Sequence, residues 1–289
     1  PASYPKSEIA YLNEITDELW ADDHTTIQTY RQIFQVLNEA GNRSAFGSFH
    51  FDRDTEQLEI LHALTIAADG RVLHLSDDAL KVEALHGSTP KYDRRWRLRY
   101  TLKEVQPGAV VDIAVRKVSK PVCPLESPFL ETRFRDRAPT LHQTVSVRFP
   151  DRIADTIRYR LLPGLDGAEP PVAFQSSLEN EQRTLIWTLT EPAAPIAPEP
   201  MSPPIGDIAP RLIVCSIPHT GSPATGGADA DWKRLAVAVR SLADAAAGDD
   251  SAVRAVALRF ADAARAEIQR LSDANQLPGG VDAETRLYR

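Results

Sequence analysis

The segment RLIVCSIPHTGSPATGGADADWKRL, residues 211–235, places Cys215, Ser216 and His219 within five positions. A thiol or hydroxyl beside an imidazole is the minimum for nucleophilic catalysis, in which the base takes the proton and the heteroatom attacks. Nearness in sequence is not enough. An activated cysteine also needs an imidazolium or a helix N-terminus to stabilise its thiolate. Cys215 follows Leu212, Ile213 and Val214, the end of a strand-like run, while His219 lies beyond Pro218 at the start of a glycine-rich loop. A cysteine in an apolar run most often packs as a small hydrophobe. Packing is therefore the expectation for Cys215, and equally for Cys123 in KPVCPLESP.

Other constellations are weighed in the same way. The loop TGSPATGGADADWK lacks the glycine spacing of a phosphate loop, and its Lys233 comes too late, inside a helical pattern, so it reads as a connector. His50, His62, His74 and His86 recur every twelve residues, but turns intervene and no second ligand sits at i+2 or i+4 on one element. No metal site is expected from them. The basic row Arg94, Arg95, Arg97, Arg99 and Lys103 reads as a solvated strand face, or an edge blunted by charge, ahead of an anion-binding surface. Trp20, Trp96 and Trp187 are the candidates for an aromatic recognition platform, although Trp96 and Trp187 lie in alternating strands and are expected in the core. No catalytic, cofactor-binding or metal-ligating residue is assigned.

The elements that would position these residues are mostly strands. ITDELWADDHTTIQTYRQIFQVLNEAG begins with a strand, turns at ADDH and returns with Ile27, Thr29, Arg31 and Ile33 on one face and Tyr30, Phe34 and Val36 on the other. LEILHALTIAADGRVLHLS reads as a hairpin about Gly70, and RRWRLRYTL alternates, with Trp96, Leu98, Tyr100 and Leu102 opposite the arginines. VQPGAVVDIAVRKV, HQTVSVRFP, DTIRYRLL and RTLIWTLTEP continue the pattern. Turn signals about every ten residues predict a mainly β fold, an antiparallel β-sandwich over residues 1–190. Seven prolines in EPAAPIAPEPMSPPIGDIAP mark the start of a proline- and glycine-rich connector, residues 191–228, carrying one short strand, RLIVCS. From Asp229 the period becomes helical. Trp232, Leu235, Val239, Leu242 and Ala246 form one stripe, and Val253, Val256, Phe260, Ala264, Ile268 and Leu271 another, predicting two helices in residues 229–289.

Bulk properties bound the partners. The 289 residues carry 33 Lys and Arg against 40 acids, a formal charge of −7, which excludes a general nucleic-acid binder with a basic face. No apolar run is long enough to span a bilayer, so no membrane insertion by this chain is expected. The opening PASYPKSEIA has no basic patch followed by an apolar core, so it does not read as an export signal. Two cysteines make neither a disulfide framework nor a four-ligand zinc site.

The segments IQTYRQIFQVLNEAG, LEILHALTIAADGRVLHLSDDAL, YDRRWRLRYTLKEVQPGAVVDI and EPMSPPIGDIAPRLIVCS, followed by the Trp232 helix, occur in an order that resembles a bacterial family. That family is a domain of unknown function preceding transglutaminase-like cores, and the resemblance covers residues 8–270. It implies a β-sandwich, a Glu-Pro-x-x-Pro-Pro crossover, and helices leading into a papain-like core whose own Cys, His and Asp would do the chemistry. No position of this sequence matches those residues, and Cys215 aligns with the strand before the linker helix. The resemblance thus implies a non-catalytic accessory module, with residues 229–289 as the lead-in to that core, its implied partner. It favours a periplasmic or secreted setting. An independent peptide- or glycan-binding sandwich is the alternative, and an autonomous Cys215–His219 enzyme carries the least weight. No cofactor is expected.

Overall fold

The structure, a computed structural model, describes residues 4, 6–21, 24–85, 94–121, 127–164, 167, 169–196 and 203–216. The chain divides into two units, Pro1–Ile217 and Pro218–Arg289, and every described residue belongs to the first. The two helices expected after Asp229 therefore lie outside the described residues.

The predicted return strand appears as β1 (Ile9–Trp20) and β2 (Thr26–Val36), paired antiparallel along their length. A short 3-10 turn, capped by the Asn38 side chain, leads into β3 (Phe46–Asp52), a strand the sequence reading did not single out. The hairpin about Gly70 is β4 (Glu56–Ile66) and β5 (Val72–His74), and Gly70 takes a φ of 89°, as the turn demands. Next come β6 (Leu80–Ala84) and β7 (Arg95–Thr101), then β8 (Val110–Ser119). The last is launched by a Pro107-Gly108 turn in which Ala109 N donates to Gln106 O and Gly108 holds a φ of 90°. A positive φ at the third position, directly after proline, is the mark of a type II turn. The rest of the described chain runs through β9 (Phe129–Arg133), β10 (Gln143–Pro150), β11 (Ile157–Leu162), β12 (Val172–Glu179), β13 (Gln182–Leu189) and β14 (Arg211–Ser216). Before β14 the proline-rich connector makes one turn of helix, Ile205–Ile208, directly after Pro203-Pro204, where proline does not obstruct a helix start.

These strands form three sheets, so the chain is mainly β but not the single two-sheet antiparallel sandwich that the alternation suggests. One sheet has eight strands in the order β12-β13-β10-β1-β2-β8-β4-β5, and the others are β11-β14-β9 and β3-β7-β6. In the large sheet β1 runs parallel to β10. Alternation within a strand reports which face is buried, not which way the neighbour runs, so this pairing leaves no trace in either segment.

Register shows how the sheets are related. Residues paired across a ladder share a face, so Phe34, Val111, Ile113, Val145, Val147, Leu185 and Trp187 all lie on one side of the large sheet. On that side one core joins Trp20, Val145, Val147, Phe149, Leu185 and Trp187 to Leu130, Leu212 and Val214 of the β11-β14-β9 sheet. A separate core joins Phe34, Val36, Val111 and Ile113 to Leu102, with Phe49 and Tyr100 of the β3-β7-β6 sheet packed against it. Full burial of each large side chain here is worth about 1.5–3 kcal/mol. The two small sheets thus cover two different parts of one face, and what lies between them is not apolar.

Candidate functional site

Cys215 and Ser216 are consecutive in β14, the middle strand of its sheet, and so project to opposite faces. Leu212 and Val214 occupy the core side, which puts Cys215 on the outer side, across from Arg158 and Phe129. Cys215 is half-exposed, not packed away as its apolar run suggests, because the core takes the other parity of the strand. Ser216 shares a 3.0 Å hydrogen bond with Thr156. Cys123, His86, His219 and the glycine-rich loop up to Lys233 lie outside the described residues.

Among the described histidines, His50 and His74 stand exposed on β3 and β5, while His62 on β4 meets Asp112 at 2.9 Å. Asp112 also receives a forked pair of hydrogen bonds from Arg31, at 3.0 and 2.7 Å. Burial pushes the Asp112 carboxyl upward, but these bonds outweigh it and hold it below its ordinary value of 3.8. The cluster ties β2, β8 and β4 together on the outer face. No group of three or more His, Cys, Asp or Glu able to hold a metal occurs among the described residues.

The basic row lies on a central strand, not an edge: β7 sits between β3 and β6. Arg97 and Arg99 both reach Glu83 of β6, at 2.6 and 3.4 Å, and Lys81 reaches it at 2.9 Å. Lys81, then Arg97, lower the Glu83 carboxyl to about 2. Arg94 lies 3.9 Å from both Asp52 and Asp54. The arginines thus serve the sheet that carries them. Trp20 and Trp187 are fully buried, 0% and 2% exposed, and Arg53 stacks over the Trp96 ring at 4.6 Å. None of these three forms an open platform.

The polar site of this fold is a different one, and it arises from β1. A bulge between Tyr11 and Asn13 shifts the strand by one residue, so its inner face reads Ile9, Tyr11, then Glu14, Thr16, Glu18 and Trp20. The ladder brings Gln32, Tyr30 and Gln28 of β2 opposite Glu14, Thr16 and Glu18. These residues make a polar seam on the covered face between the two apolar cores. Glu18 is 5% exposed and accepts from Trp20 Nε1 at 2.7 Å and from Gln28 Nε2 at 3.1 Å. Burial raises its carboxyl above the usual range. It opens on a cavity of about 300 Å³ that is shared with Lys117, Glu56 and Ser119, of which Lys117 lies 3.1 Å from Glu56.

At the other end, Glu14 accepts from Tyr30 Oη at 2.9 Å and from Thr140 Oγ1 at 3.4 Å. Burial again raises the carboxyl, and Asp136 adds to that. Tyr11 and Tyr30 are pushed well above the usual phenol range, by burial first and then by Glu14. A cavity of about 260 Å³ is lined here by Glu14, Tyr30, Gln143, Thr140, Arg133 and Asp136, among others. Two strand repeats separate the glutamates, about 13 Å of rise. Neither glutamate was singled out from sequence. Their shared parity with Trp20 in EITDELW, residues 14–20, is the signal that the sequence offers.

With this geometry established, likeness to known proteins becomes informative. Residues 22–196 match the family described as a domain of unknown function with a solved structure, DUF3857. The chain belongs to that family. DUF3857 domains precede transglutaminase-like cores. Among solved structures, a "putative protease" from Parabacteroides distasonis superposes with a TM-score of 0.65 at 16% identity, over 84% of this chain and 47% of that one. That likeness is one of fold. An M1 zinc metallopeptidase from Deinococcus radiodurans aligns with a TM-score of 0.38 at 10% identity, over 82% of this chain and 54% of its own, too low to bear on DUF3857. The chain thus spans about half the length of each solved relative, 47% and 54%. No curated protein matches it. No helix among the described residues is long and apolar enough to cross a membrane.

Proposed function

We propose that this chain is the non-catalytic accessory module of a transglutaminase-like protein, an open β-sandwich that supports the core or presents substrate to it. The observation that carries this reading is the DUF3857 match over residues 22–196, which includes nearly the whole large sheet and all of the β3-β7-β6 sheet. Residues 1–190 form the sandwich in this reading, 191–228 the connector and 229–289 the lead-in to the core, which is its partner. A periplasmic or secreted setting goes with it. The test is to assay the 289-residue chain for amide hydrolysis and amine incorporation, alone and joined to a transglutaminase-like core. The reading expects no turnover from the chain alone, and a change in the core's KM when it is joined. Turnover by the chain alone that Cys215→Ala abolishes would overturn it.

A second reading, a peptide- or glycan-binding module, has one observation in its favour. Tyr159 and Phe174 are 48% and 44% exposed, and their rings lie 5.1 Å apart over Trp187. They line a groove of about 420 Å³ flanked by β11 and β12, each the edge strand of its sheet. Open edges and exposed aromatic faces are the means by which sandwiches hold extended ligands. Peptide and glycan arrays probed with the native chain and with Phe174→Ala separate the two readings: binding that the substitution removes favours this one.

A further inference from the structure

We propose that the cavity at the Glu14 end of the polar seam is a binding site for a primary ammonium group, held by the Glu14 carboxylate and the side-chain carbonyl of Gln143. The two residues are direct partners in the parallel β1–β10 ladder, so they project side by side from the same face, and both line the cavity. Gln143 is 5% exposed. Its Nε2 donates to Arg133 O at 2.8 Å, which fixes the amide orientation, and its buried Oε1 has no hydrogen-bond partner. A buried acceptor left unpaired costs about 1–3 kcal/mol, so it marks a place where a donor belongs.

The surroundings specify which donor. Among the described residues Glu14 accepts only from the neutral hydroxyls of Tyr30 and Thr140, one to each oxygen, and no cation there hydrogen-bonds its negative charge. The arginines that line the cavity hold other acceptors, and Arg133 acts on Glu14 through space, without a hydrogen bond to it. Arg133 pairs with Asp136 at 3.2 Å, and Arg135 donates to Ala194 O at 3.2 Å. The second oxygen of Asp136 accepts from the Arg137 backbone at 2.7 Å. What remains is a cluster of acceptors: two carboxylate oxygens with spare lone pairs, the Gln143 carbonyl and the Thr140 hydroxyl. An ammonium offers three donors and one positive charge in a compact head and so satisfies this set. A carboxylate would be repelled by Glu14, and a quaternary ammonium has no N–H to give Gln143. The cavity, about 260 Å³, admits the head of an alkylamine or a lysine side chain. This site does not depend on the accessory role.

Titration of the full 289-residue chain with n-butylammonium chloride, followed by NMR, tests the assignment. Saturable shifts are expected at the Gln143 side-chain amide and at the Glu14 and Thr140 backbone amides. Glu14→Gln is expected to weaken binding at least about tenfold, the loss of one charge-assisted contact. Gln143→Leu, close in size, is expected to weaken it at least about threefold while leaving the fold intact. That second variant decides the matter should Glu14→Gln fail to fold. Tetramethylammonium and butyrate are expected to leave these resonances in place. The proposal is overturned if no shift appears by about 50 mM amine, if butyrate binds as well, or if affinity is unchanged in the variants.

Discussion

On the outer face of the large sheet, Asp112 is the shared acceptor for Arg31 and His62, and its side chain is 14% exposed against 41% for the arginine. Replacing it with alanine leaves two donors without their acceptor. Solvent reaches the guanidinium, so Asp112→Ala is expected to cost about 1–2 kcal/mol, read by urea unfolding at neutral pH. Because the folded protein holds this carboxyl below its ordinary 3.8, its contribution is complete above that value and fades as pH falls through the lowered one. The variant and the native chain should therefore converge in acid. Glu14 has the opposite sign. Its carboxyl is raised above the ordinary 4.5 by burial, so ionisation in the folded state works against stability as pH rises from there. Tyr11, Tyr30, Thr140, Gln143, Arg133, Arg135 and Asp136 face it, and the lowering by Arg133, through space, is outweighed by burial. Glu14→Gln should thus melt above the native chain at about pH 8 and level with it at about pH 4, as differential scanning calorimetry would show. A native advantage at about pH 8 would mean that Glu14 is held by a cation after all.

Among the elements, the β3-β7-β6 sheet rests on one close approach. Gly47 of β3 is the ladder partner of Tyr100 of β7, and a Cβ at Gly47 would run into the Tyr100 ring. That ring is stacked on Phe49 at 5.6 Å and packs on the core beneath, so it has little room to yield. Gly47→Ala should cost about 1–3 kcal/mol by overpacking, and Gly47→Ala with Tyr100→Ala should cost less than the sum of the two single changes. This strand also shows where sequence legibility stops. RRWRLRYTL reveals β7 because large apolar residues alternate with arginine, Gly70 marks the β4–β5 hairpin, and Pro107-Gly108 marks the turn that launches β8. FGSFHFD hides β3 because Gly47 takes the first of its inner positions, ahead of Phe49 and Phe51, under the Tyr100 ring, while Phe46 on the outer face is 63% exposed and blurs the alternation. β1 hides its polar seam for a related reason. In ITDELW the apolar Ile15 and Leu19 suggest the buried face, yet the face that the small sheets cover has the parity of Thr16, Glu18 and Trp20. Only the pairing with β2 and β10, set far along the chain, decides which parity faces inward. The basic row was readable as a solvated face, but its place on a central strand was not, since sheet order is a property of partners.

For the molecule as a whole, the question is whether two cores on one sheet behave as one cooperative unit. Among the described residues they share no buried side chain, and a polar seam separates them. The backbone argues for unity. β1 sends Ile9 and Tyr11 to one core and Trp20 to the other, while pairing with β2 on one side and β10 on the other. Opening either core alone would strip one end of β1 from its packing and break a ladder inside a continuous eight-stranded sheet. Exposed, unpaired strand groups make such a half-open state costly. Leu212→Ala, wholly buried in the β11-β14-β9 core, should cost about 2–5 kcal/mol. If the sheet couples the cores, that substitution lowers hydrogen-exchange protection of the Val110–Ser119 amides in β8 as much as that of the Gln143–Pro150 amides in β10. Loss confined to β10 and its neighbours would instead mean that the seam is a true boundary, and that residues 9–216 form two folding units joined along one strand.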